Sequence, residues 1–391
     1  MAITQKDKDI LRGLASRIAE IAALPVQDYR RKLAQQVENL EQTKPTVQIY
    51  QEPWNELNMH GELEPQCTDN FCRGIEGQLR QTLYKWDHYQ DDTVISADMP
   101  QPYCIRDTGF GISEDVDIQR TDATSDVVSR HYNIQISEES DADKIKFPEV
   151  SHNEAQTERE FQMRSDIFDG ILNVSKVGVG GFWFAPWDEL VRWTGVTEVL
   201  TDMAMRPEYV HVLMERFVSA WLYRLDQYVE QDLLAQPLED MWAVGAAQIF
   251  SEVSPAMHEE FALKHESRWY SRFGKSYYGC CEPLHNKVDI IRKNIPNLRK
   301  ISMSPWVDFD KAVKNVGSDL IFAWKPNPAI FAGDAWNPEA IRKDMREKLQ
   351  KAKDDGCIIE IHLKDISTVR YHPEHLWEWA KIAQEVTKEF E

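Results

Sequence analysis

The chain has 391 residues, of which 42% are hydrophobic, and it carries a formal net charge of −20 at pH 7. This length suits one large α/β barrel with extensions or two ordinary domains, while the negative charge repels a phosphate backbone and argues against a nucleic-acid partner. The sequence contains neither the run of roughly 18 apolar residues that a membrane span needs nor a signal-peptide core, and its six cysteines are sparse. We therefore expect a cytoplasmic protein without a membrane segment or a disulfide framework.

The first part of the chain predicts helices around one short strand. Apolar residues recur at helical spacing through residues 6–43, and Pro25 divides this stretch into two predicted helices. Residues 46–50 predict a strand, and an apolar face over 69–90 predicts another helix. The following segment, 93–105, is predicted to be extended and is interrupted by prolines.

The middle of the chain begins with an acidic segment. Residues 110–150 predict an irregular, solvated excursion without an assigned role. A helix is predicted over 154–168, and the Gly-rich stretch 178–184 predicts a strand and a loop without the spacing of a phosphate cradle. Residues 207–233 predict a long helix whose first turn contains Pro207.

The last third predicts four β–α units. Short connections between successive strands and helices require parallel strands joined by right-handed crossovers. This pattern fits the second half of an eight-stranded barrel or half of a doubly wound sheet. The predicted strands cover residues 276–280, 298–303, 319–324 and 357–362.

Residues that can perform chemistry follow each of these four strands. Ligands bind at the carboxyl ends of parallel strands in both architectures, so we expect the functional site there. The residues at these positions are Cys280, Cys281, Glu282, His285, Ser302, Ser304, Trp306, Trp324, Lys325, Asn327, His362, Lys364 and Asp365.

Several motifs resemble the uroporphyrinogen decarboxylase superfamily, whose TIM barrels include zinc methyltransferases that work on corrinoid cofactors. The resemblance implies a (β/α)8 TIM barrel over residues 46–391, preceded by an N-terminal helical extension over 1–45. The motifs that carry it are Pro186-Trp187-Asp188-Glu189-Leu190, Arg206-Pro207-Glu208-Tyr209-Val210, Gly279-Cys280-Cys281-Glu282, Asp355-Gly356-Cys357 and Pro373-Glu374-His375-Leu376.

The chain also departs from this family at two places. Where the decarboxylases carry an arginine signature, this chain has Glu52-Pro53-Trp54, and glutamates would repel a substrate with many carboxylates. Tetrapyrrole decarboxylation is therefore disfavoured. The methyltransferases carry a His-x-Cys pair, and this chain has Tyr278 or Gly279 at the histidine position. The resemblance then implies a different zinc site, formed by Cys280, Cys281, Glu282 and His362.

Each candidate residue also has a structural interpretation. Glu282, His362 and Lys325 are the predicted acid–base groups, and Trp306, Trp324 and Asn327 are the predicted cofactor-binding residues. A cysteine is also a common buried apolar residue, and a glutamate in the first turn of a helix is stabilised by the helix dipole. Lys325 could likewise be a surface lysine in a turn, and the two tryptophans could pack in the hydrophobic core.

The function that the resemblance implies is zinc-assisted methyl transfer between a corrinoid and a small substrate. The chain shows no cobalamin-binding motif, so a partner corrinoid protein would supply methylcobalamin. A monomer or homodimer is expected. Two alternatives stay open: a metal-dependent, decarboxylase-like lyase or isomerase acting on a small carboxylate, and a barrel that binds a cofactor without catalysis.

Overall fold

The structure is a computed structural model that describes residues 3–120 and 128–391. Residues 1–2 of the predicted extension and 121–127 of the predicted acidic segment therefore lie outside the described residues. The chain divides into two compact units. The first comprises Met1–Gln101, Ala155–Lys176 and Ala323–Glu391, and the second comprises Pro102–Glu154 and Val177–Phe322. The predicted domain boundary at residue 45 stays a prediction.

The described α-helices account for most of the predicted helical segments. In chain order they are α1 Gln5–Ala22, α2 Pro25–Glu38, α3 Trp54–Leu57, α4 Asn70–His88, α5 Glu154–Phe168, α6 Pro186–Thr194, α7 Val196–Met205, α8 Pro207–Glu230, α9 Pro255–His258, α10 Lys264–Tyr270, α11 Val288–Asn294, α12 Phe309–Val316, α13 Pro338–Asp354 and α14 Pro373–Lys388.

The described strands are shorter than the helices. In chain order they are β1 Thr46–Ile49, β2 Asp98–Pro102, β3 Ile105–Asp107, β4 Val116–Gln119, β5 Ser129–Tyr132, β6 Val150–His152, β7 Asn173–Val177, β8 Phe182–Phe184, β9 Trp242–Gly245, β10 Lys275–Tyr278, β11 Leu298–Met303, β12 Ile321–Trp324 and β13 Ile358–Leu363.

Local sequence explains where several helices begin. Pro25, Pro207 and Pro373 each stand at the first turn of their helix, where the missing N–H needs no partner. Asp69 caps α4, because its side chain accepts hydrogen bonds from the backbone N–H groups of Phe71 and Cys72. These helix predictions are confirmed.

The helices of the first unit share an apolar core. Leu11 and Ile18 of α1, Ile75 and Leu79 of α4, and Phe168 of α5 belong to one cluster of buried residues. Burying these apolar faces stabilises the helices far more than their intrinsic propensities do. Across the residues that the structure describes, no helix combines the length and apolar character that crossing a membrane requires.

Within the part of the chain that the structure describes, the main sheet has seven strands. The end of β12 lies beside β13, and β13 beside β1, in the first unit; β8, β9, β10 and β11 lie side by side in the second. The pairs β1–β13, β8–β9, β9–β10 and β10–β11 are parallel. The predicted α/β class is confirmed. Among the described residues the sheet begins at β1 and ends at β8, so it is consistent with the predicted TIM-like barrel but is not closed.

The extended segment between β1 and β8 forms small separate sheets instead. β2 contains Pro100 and Pro102, which offer no N–H to a neighbouring strand, and its partner among the described strands is β7. β3 pairs antiparallel with β6. The acidic segment is less irregular than predicted, because β4 and β5 form an antiparallel pair.

Candidate functional site

In the second unit, the Asp188 carboxylate links the segment after β8 to the segment after β9. Asp188 follows β8, in the first turn of α6, and Gln248 follows β9. The backbone N–H of Gln248 donates to Asp188 Oδ1 at 2.9 Å, and its side-chain amide donates to Oδ2 at 2.8 Å. Both carboxylate oxygens are thereby oriented at the carboxyl ends of neighbouring parallel strands, where α/β folds bind ligands.

Glu282, a predicted acid–base residue and metal ligand, follows β10 and is fully buried. Its Oε1 accepts a hydrogen bond from the Ala247 N–H at 3.0 Å, and its Oε2 accepts one from the Cys280 N–H at 2.6 Å. The carboxylate therefore ties the turn after β10 to the turn after β9. Hydrogen bonds of this kind, from N–H groups to an ionised oxygen, are about twice as strong as neutral ones.

The predicted cysteine pair lies at the same strand end. Cys280 is buried, and its Sγ lies 3.6 Å from the Sγ of half-buried Cys281. Gly279 precedes the pair with φ +101°, a conformation that strains any residue with a side chain. The Ser302 hydroxyl donates to the Cys280 carbonyl at 2.7 Å. The two thiols are thus held by a turn whose backbone conformation is constrained by Gly279 and by the hydrogen bond from Ser302.

Burial moves several pKa values in this region toward neutrality. Burial raises the pKa of Asp188 from 3.8 to about 6, and the charge of Glu282 adds to that rise. Burial likewise raises the pKa of Glu189 to about 7. Burial lowers the pKa of Lys287 to about 8, and its Nζ donates to the Phe250 carbonyl. Groups that titrate near pH 7 can donate or accept protons under ordinary conditions.

A second polar group is buried on β10 and the helices before it. The Tyr278 hydroxyl lies 2.7 Å from His258 Nε2 and donates to Glu266 Oε2 at 3.4 Å. Burial lowers the pKa of His258 to about 3, so its imidazole is neutral. Burial, with the charge of Asp188, raises the pKa of Glu266 well above its usual value. A neutral imidazole and a protonated carboxyl can share this enclosed space without an unpaired charge.

In the first unit, the predicted residue His362 lies on β13 between two polar partners. Its Nδ1 is 2.9 Å from the Tyr50 hydroxyl, and its Nε2 is 2.9 Å from Glu360 Oε2. Glu360 and His362 are both buried. Because a carboxylate accepts hydrogen bonds, the Nε2–H of His362 donates to Glu360, and Nδ1 is the ring nitrogen that faces the Tyr50 hydroxyl.

The remaining predicted residues differ in their surroundings. Lys325 follows β12 and is only 4% exposed. Trp324 and Asn327 line a cavity of about 230 Å³ in the first unit, and the Asn327 side chain accepts the Ala329 N–H. Trp306, by contrast, is 69% exposed, so its indole does not form a buried wall.

The predicted metal ligands are divided between the two units. Cys280, Cys281 and Glu282 belong to the second unit, and His362 belongs to the first. Among the described residues, the one group of three histidine, cysteine or acidic side chains compact enough for a metal ion is His372, Glu374 and His375. The four-residue zinc site therefore stays a prediction.

Sequence reasoning missed Asp188 and Gln248 as functional residues. The sequence points to functional residues only at the carboxyl ends of the last four predicted strands. The strand at β8 is predicted without functional residues after it, and no strand is predicted at β9. A signal was present, because Trp242–Gly245 is a short apolar segment and the first polar residue after it is Gln248, three positions beyond its end. The same rule would have selected Gln248.

Comparison with known proteins identifies the fold but no family. No protein-family model matches the chain, and no curated protein matches its sequence. A solved structure described as a methyltransferase from Methanosarcina mazei matches with a TM-score of 0.52 and 11% sequence identity, covering 91% of this chain and 97% of the other. The resemblance to the uroporphyrinogen decarboxylase superfamily stays a prediction. At this identity the likeness concerns the fold alone, and the chain is similar in fold to a methyltransferase.

Proposed function

We propose that the chain is a methyltransferase whose reaction takes place at the carboxyl ends of β8, β9 and β10. The observation that carries the proposal is the set of oriented reactive groups there. Asp188 is fixed through both oxygens by Gln248, and a thiol pair lies in the turn after β10. The fold similarity to a methyltransferase supports this reaction class.

Asp188 acts in this proposal as the base. With a pKa of about 6 it is mostly ionised at pH 7 and can accept the proton that a thiol acceptor releases. The methyl carbon then bonds to the acceptor sulfur through a sulfur electron pair. The bond to the methyl donor breaks at the same time, and its electron pair stays with the donor. The Gln248 amide holds the carboxylate in position throughout.

The thiol pair fits a zinc ion. Two Zn–S bonds of about 2.3 Å at a tetrahedral angle place the sulfurs about 3.7 Å apart, and Cys280 and Cys281 Sγ are separated by 3.6 Å. A zinc ion bound there would lower the pKa of a substrate thiol. Glu282 stays a proposed ligand, and it would first exchange a hydrogen-bond partner. His362 belongs to the first unit, so its part in this site stays a prediction from the sequence.

The methyl donor proposed here is methylcobalamin supplied by a corrinoid protein. The support is the sequence resemblance to methyltransferases that use corrinoids, together with the lack of a cobalamin-binding motif in this chain. The acceptor is proposed to be a small thiol, because both a zinc ion and a carboxylate base serve to generate a thiolate.

The test is a methyl-transfer assay with methylcobalamin and a panel of small thiols, beginning with 2-mercaptoethanol. Loss of the methylcobalamin absorbance and the mass of the methylated thiol are measured together. We expect Asp188→Asn to lower the rate by about 100-fold or more, and the Cys280→Ser and Cys281→Ser variants to lower both rate and zinc content. Cys357→Ser, a buried cysteine before β13, is the matched control. Absence of methylated thiol in every wild-type reaction would overturn the proposal.

One observation favours a second candidate, a lyase or isomerase acting on a small carboxylate. Tyr50, His362 and Glu360 form a hydrogen-bonded series through both imidazole nitrogens, which is suited to moving a proton. In D₂O such an enzyme would exchange a substrate C–H for deuterium, and His362→Gln would stop this exchange. Methyl transfer without any such exchange would favour the first candidate.

A further inference from the structure

Three side chains of the first unit gather where β13 leads into α14. His372 precedes the first residue of the helix, and Glu374 and His375 lie in its first turn. One ligand atom from each residue lies within 4.8 Å of the other two. The residues therefore stand at the start of the helix that follows the carboxyl end of a parallel strand, and barrel-type folds place functional groups on this side of the sheet.

The donor set has the chemistry of a transition-metal site. Two imidazoles with one carboxylate form the ligand set of a common type of catalytic zinc site, in which water or substrate takes the fourth position. His372 Nδ1 and Glu374 Oε1 lie 2.8 Å apart, and the two histidine rings are 5.1 Å apart. Small rotations of exposed side chains would bring all three atoms to bonding distance from one ion.

Contacts from the preceding β–α loop hold this group in place. The Trp336 ring stacks on His375 with a centroid distance of 4.5 Å, and its Nε1 donates to Glu378 Oε2 at 2.6 Å. Asp334 of the same loop pairs with Arg370, two residues before His372. Ligands whose orientation is set by neighbouring groups lose less entropy when they bind a metal.

The site is open to solvent on one side. The His372 and Glu374 side chains are 58% and 56% exposed, which leaves room for a further ligand on a bound ion. The dipole of α14 weakly disfavours a cation at this end of the helix, and the Glu374 carboxylate opposes that effect.

We propose that His372, Glu374 and His375 bind a divalent first-row transition metal, with zinc as the expected ion, and leave one coordination position open. This site shares no residue with the Cys280 and Cys281 pair, and it does not depend on the proposed methyl transfer. Imidazole nitrogens favour zinc over magnesium or calcium, which prefer ligand shells made of oxygen.

The test is calorimetric titration of Zn²⁺ into the full chain after removal of bound metal with a chelator. To isolate this site, the titration uses the Cys280→Ser/Cys281→Ser variant as its background. We expect one zinc per chain in that background, and binding weaker by at least about tenfold after His372→Ala or His375→Ala. Glu374→Gln tests the carboxylate with little change of shape, and His60→Ala is the control for an exposed histidine outside the group.

A second readout uses the indole that contacts the site. Ni²⁺ quenches tryptophan fluorescence at short range, and Trp336 stacks directly on His375. Quenching is expected to saturate at the same metal concentration as binding does, and the saturable part is expected to disappear in Trp336→Phe. Zinc binding within twofold of the parent in the His372→Ala/His375→Ala variant would overturn the proposal, and so would quenching that persists in Trp336→Phe.

Discussion

The Asp188 carboxylate accepts hydrogen bonds from both the backbone and the side chain of Gln248, at 2.9 and 2.8 Å. The two residues lie 60 positions apart in the chain and follow the adjacent parallel strands β8 and β9. The contact fixes a carboxylate whose pKa is raised to about 6 at the end of the sheet.

Asp188→Asn is expected to make stability less dependent on pH. The folded protein holds the Asp188 proton more tightly than the unfolded chain does, because burial raises the pKa from 3.8 to about 6. Ionisation above pH 6 therefore lowers the free energy of unfolding, and that loss disappears as the pH falls toward 4. The difference in the free energy of unfolding, variant minus wild type, should therefore rise by about 1–2 kcal/mol as the pH is raised from 5 to 8.

Urea unfolding at pH 5, 6, 7 and 8 measures this difference. The comparison uses the change with pH, because asparagine also alters the hydrogen bonds to Gln248 at every pH. A difference between variant and wild type that is constant over the whole range would contradict the raised pKa.

Gly279→Ala is expected to destabilise the protein and disturb the cysteine turn. Gly279 has φ +101°, and an added Cβ would contact Leu284 Cδ1 and lie 3.0 Å from Ser302 Cβ. We expect a loss of about 1–3 kcal/mol in the free energy of unfolding, measured by thermal and chemical unfolding. Reactivity of the thiols toward a thiol reagent should also change, since Cys280 follows directly.

Gly77→Ala is the matched control for this substitution. Gly77 lies within α4, and an added Cβ there meets nothing within 4 Å. Alanine has the higher helix propensity, so this variant should gain about 0.5–1 kcal/mol. Equal effects of the two alanines would show that the space around Gly279 does not matter.

Lys44→Met is expected to be strongly destabilising. Lys44 Nζ lies 3.0 Å from Asp92 Oδ2, and the two side chains are 3% and 8% exposed. Removing the cation leaves the Asp92 carboxylate buried without the opposite charge of Lys44. The hydrogen bond from the Val47 N–H offsets only part of the desolvation cost of that carboxylate. We expect a loss of about 3–5 kcal/mol. The pair of Lys343 and Glu347, whose side chains are 78% and 62% exposed, provides the control, since Lys343→Met should change stability by less than about 0.5 kcal/mol.

Tyr278→Phe is expected to lower stability by about 1–3 kcal/mol without creating a cavity. The substitution removes the hydroxyl that contacts both His258 and Glu266, which are fully buried. Loss of a shared partner leaves both groups to bear their desolvation cost. Tyr29→Phe is a suitable comparison, because Tyr29 is 42% exposed and its hydroxyl binds Glu391 near the surface. Equal stability of Tyr278→Phe and wild type would contradict the role given to the hydroxyl.

Local signals in the sequence were sufficient for most of the helices. Pro207 and Pro373 each predicted where a helix begins, and Pro25 predicted the break between the first two helices; α2, α8 and α14 begin at these residues. The four C-terminal strands were also predictable, because each is a short apolar run followed by an amphipathic helix. Both signals depend on residues within a few positions of one another, so they can be read without the fold.

The number of strands in the sheet could not be predicted in the same way. Residues 93–105 predict extended chain, and extended chain is compatible with many pairings. Pro100 and Pro102 favour an edge position, and β2 pairs with β7 outside the main sheet. The choice of partner depends on which distant strand buries the same side chains, so the sequence could not show that the sheet of the described residues has seven strands and is not closed.

The sequence by itself determined the α/β class, the starts of the main helices and the reactive residues after the last four strands. Tertiary structure alone decided which polar side chains contact one another. It placed Asp188 against Gln248, Glu282 against the turn after β9, and His362 between Tyr50 and Glu360. The physical reason is that helix caps and strand periodicity act over a few residues, whereas burial and hydrogen bonding of a carboxylate depend on residues tens or hundreds of positions away.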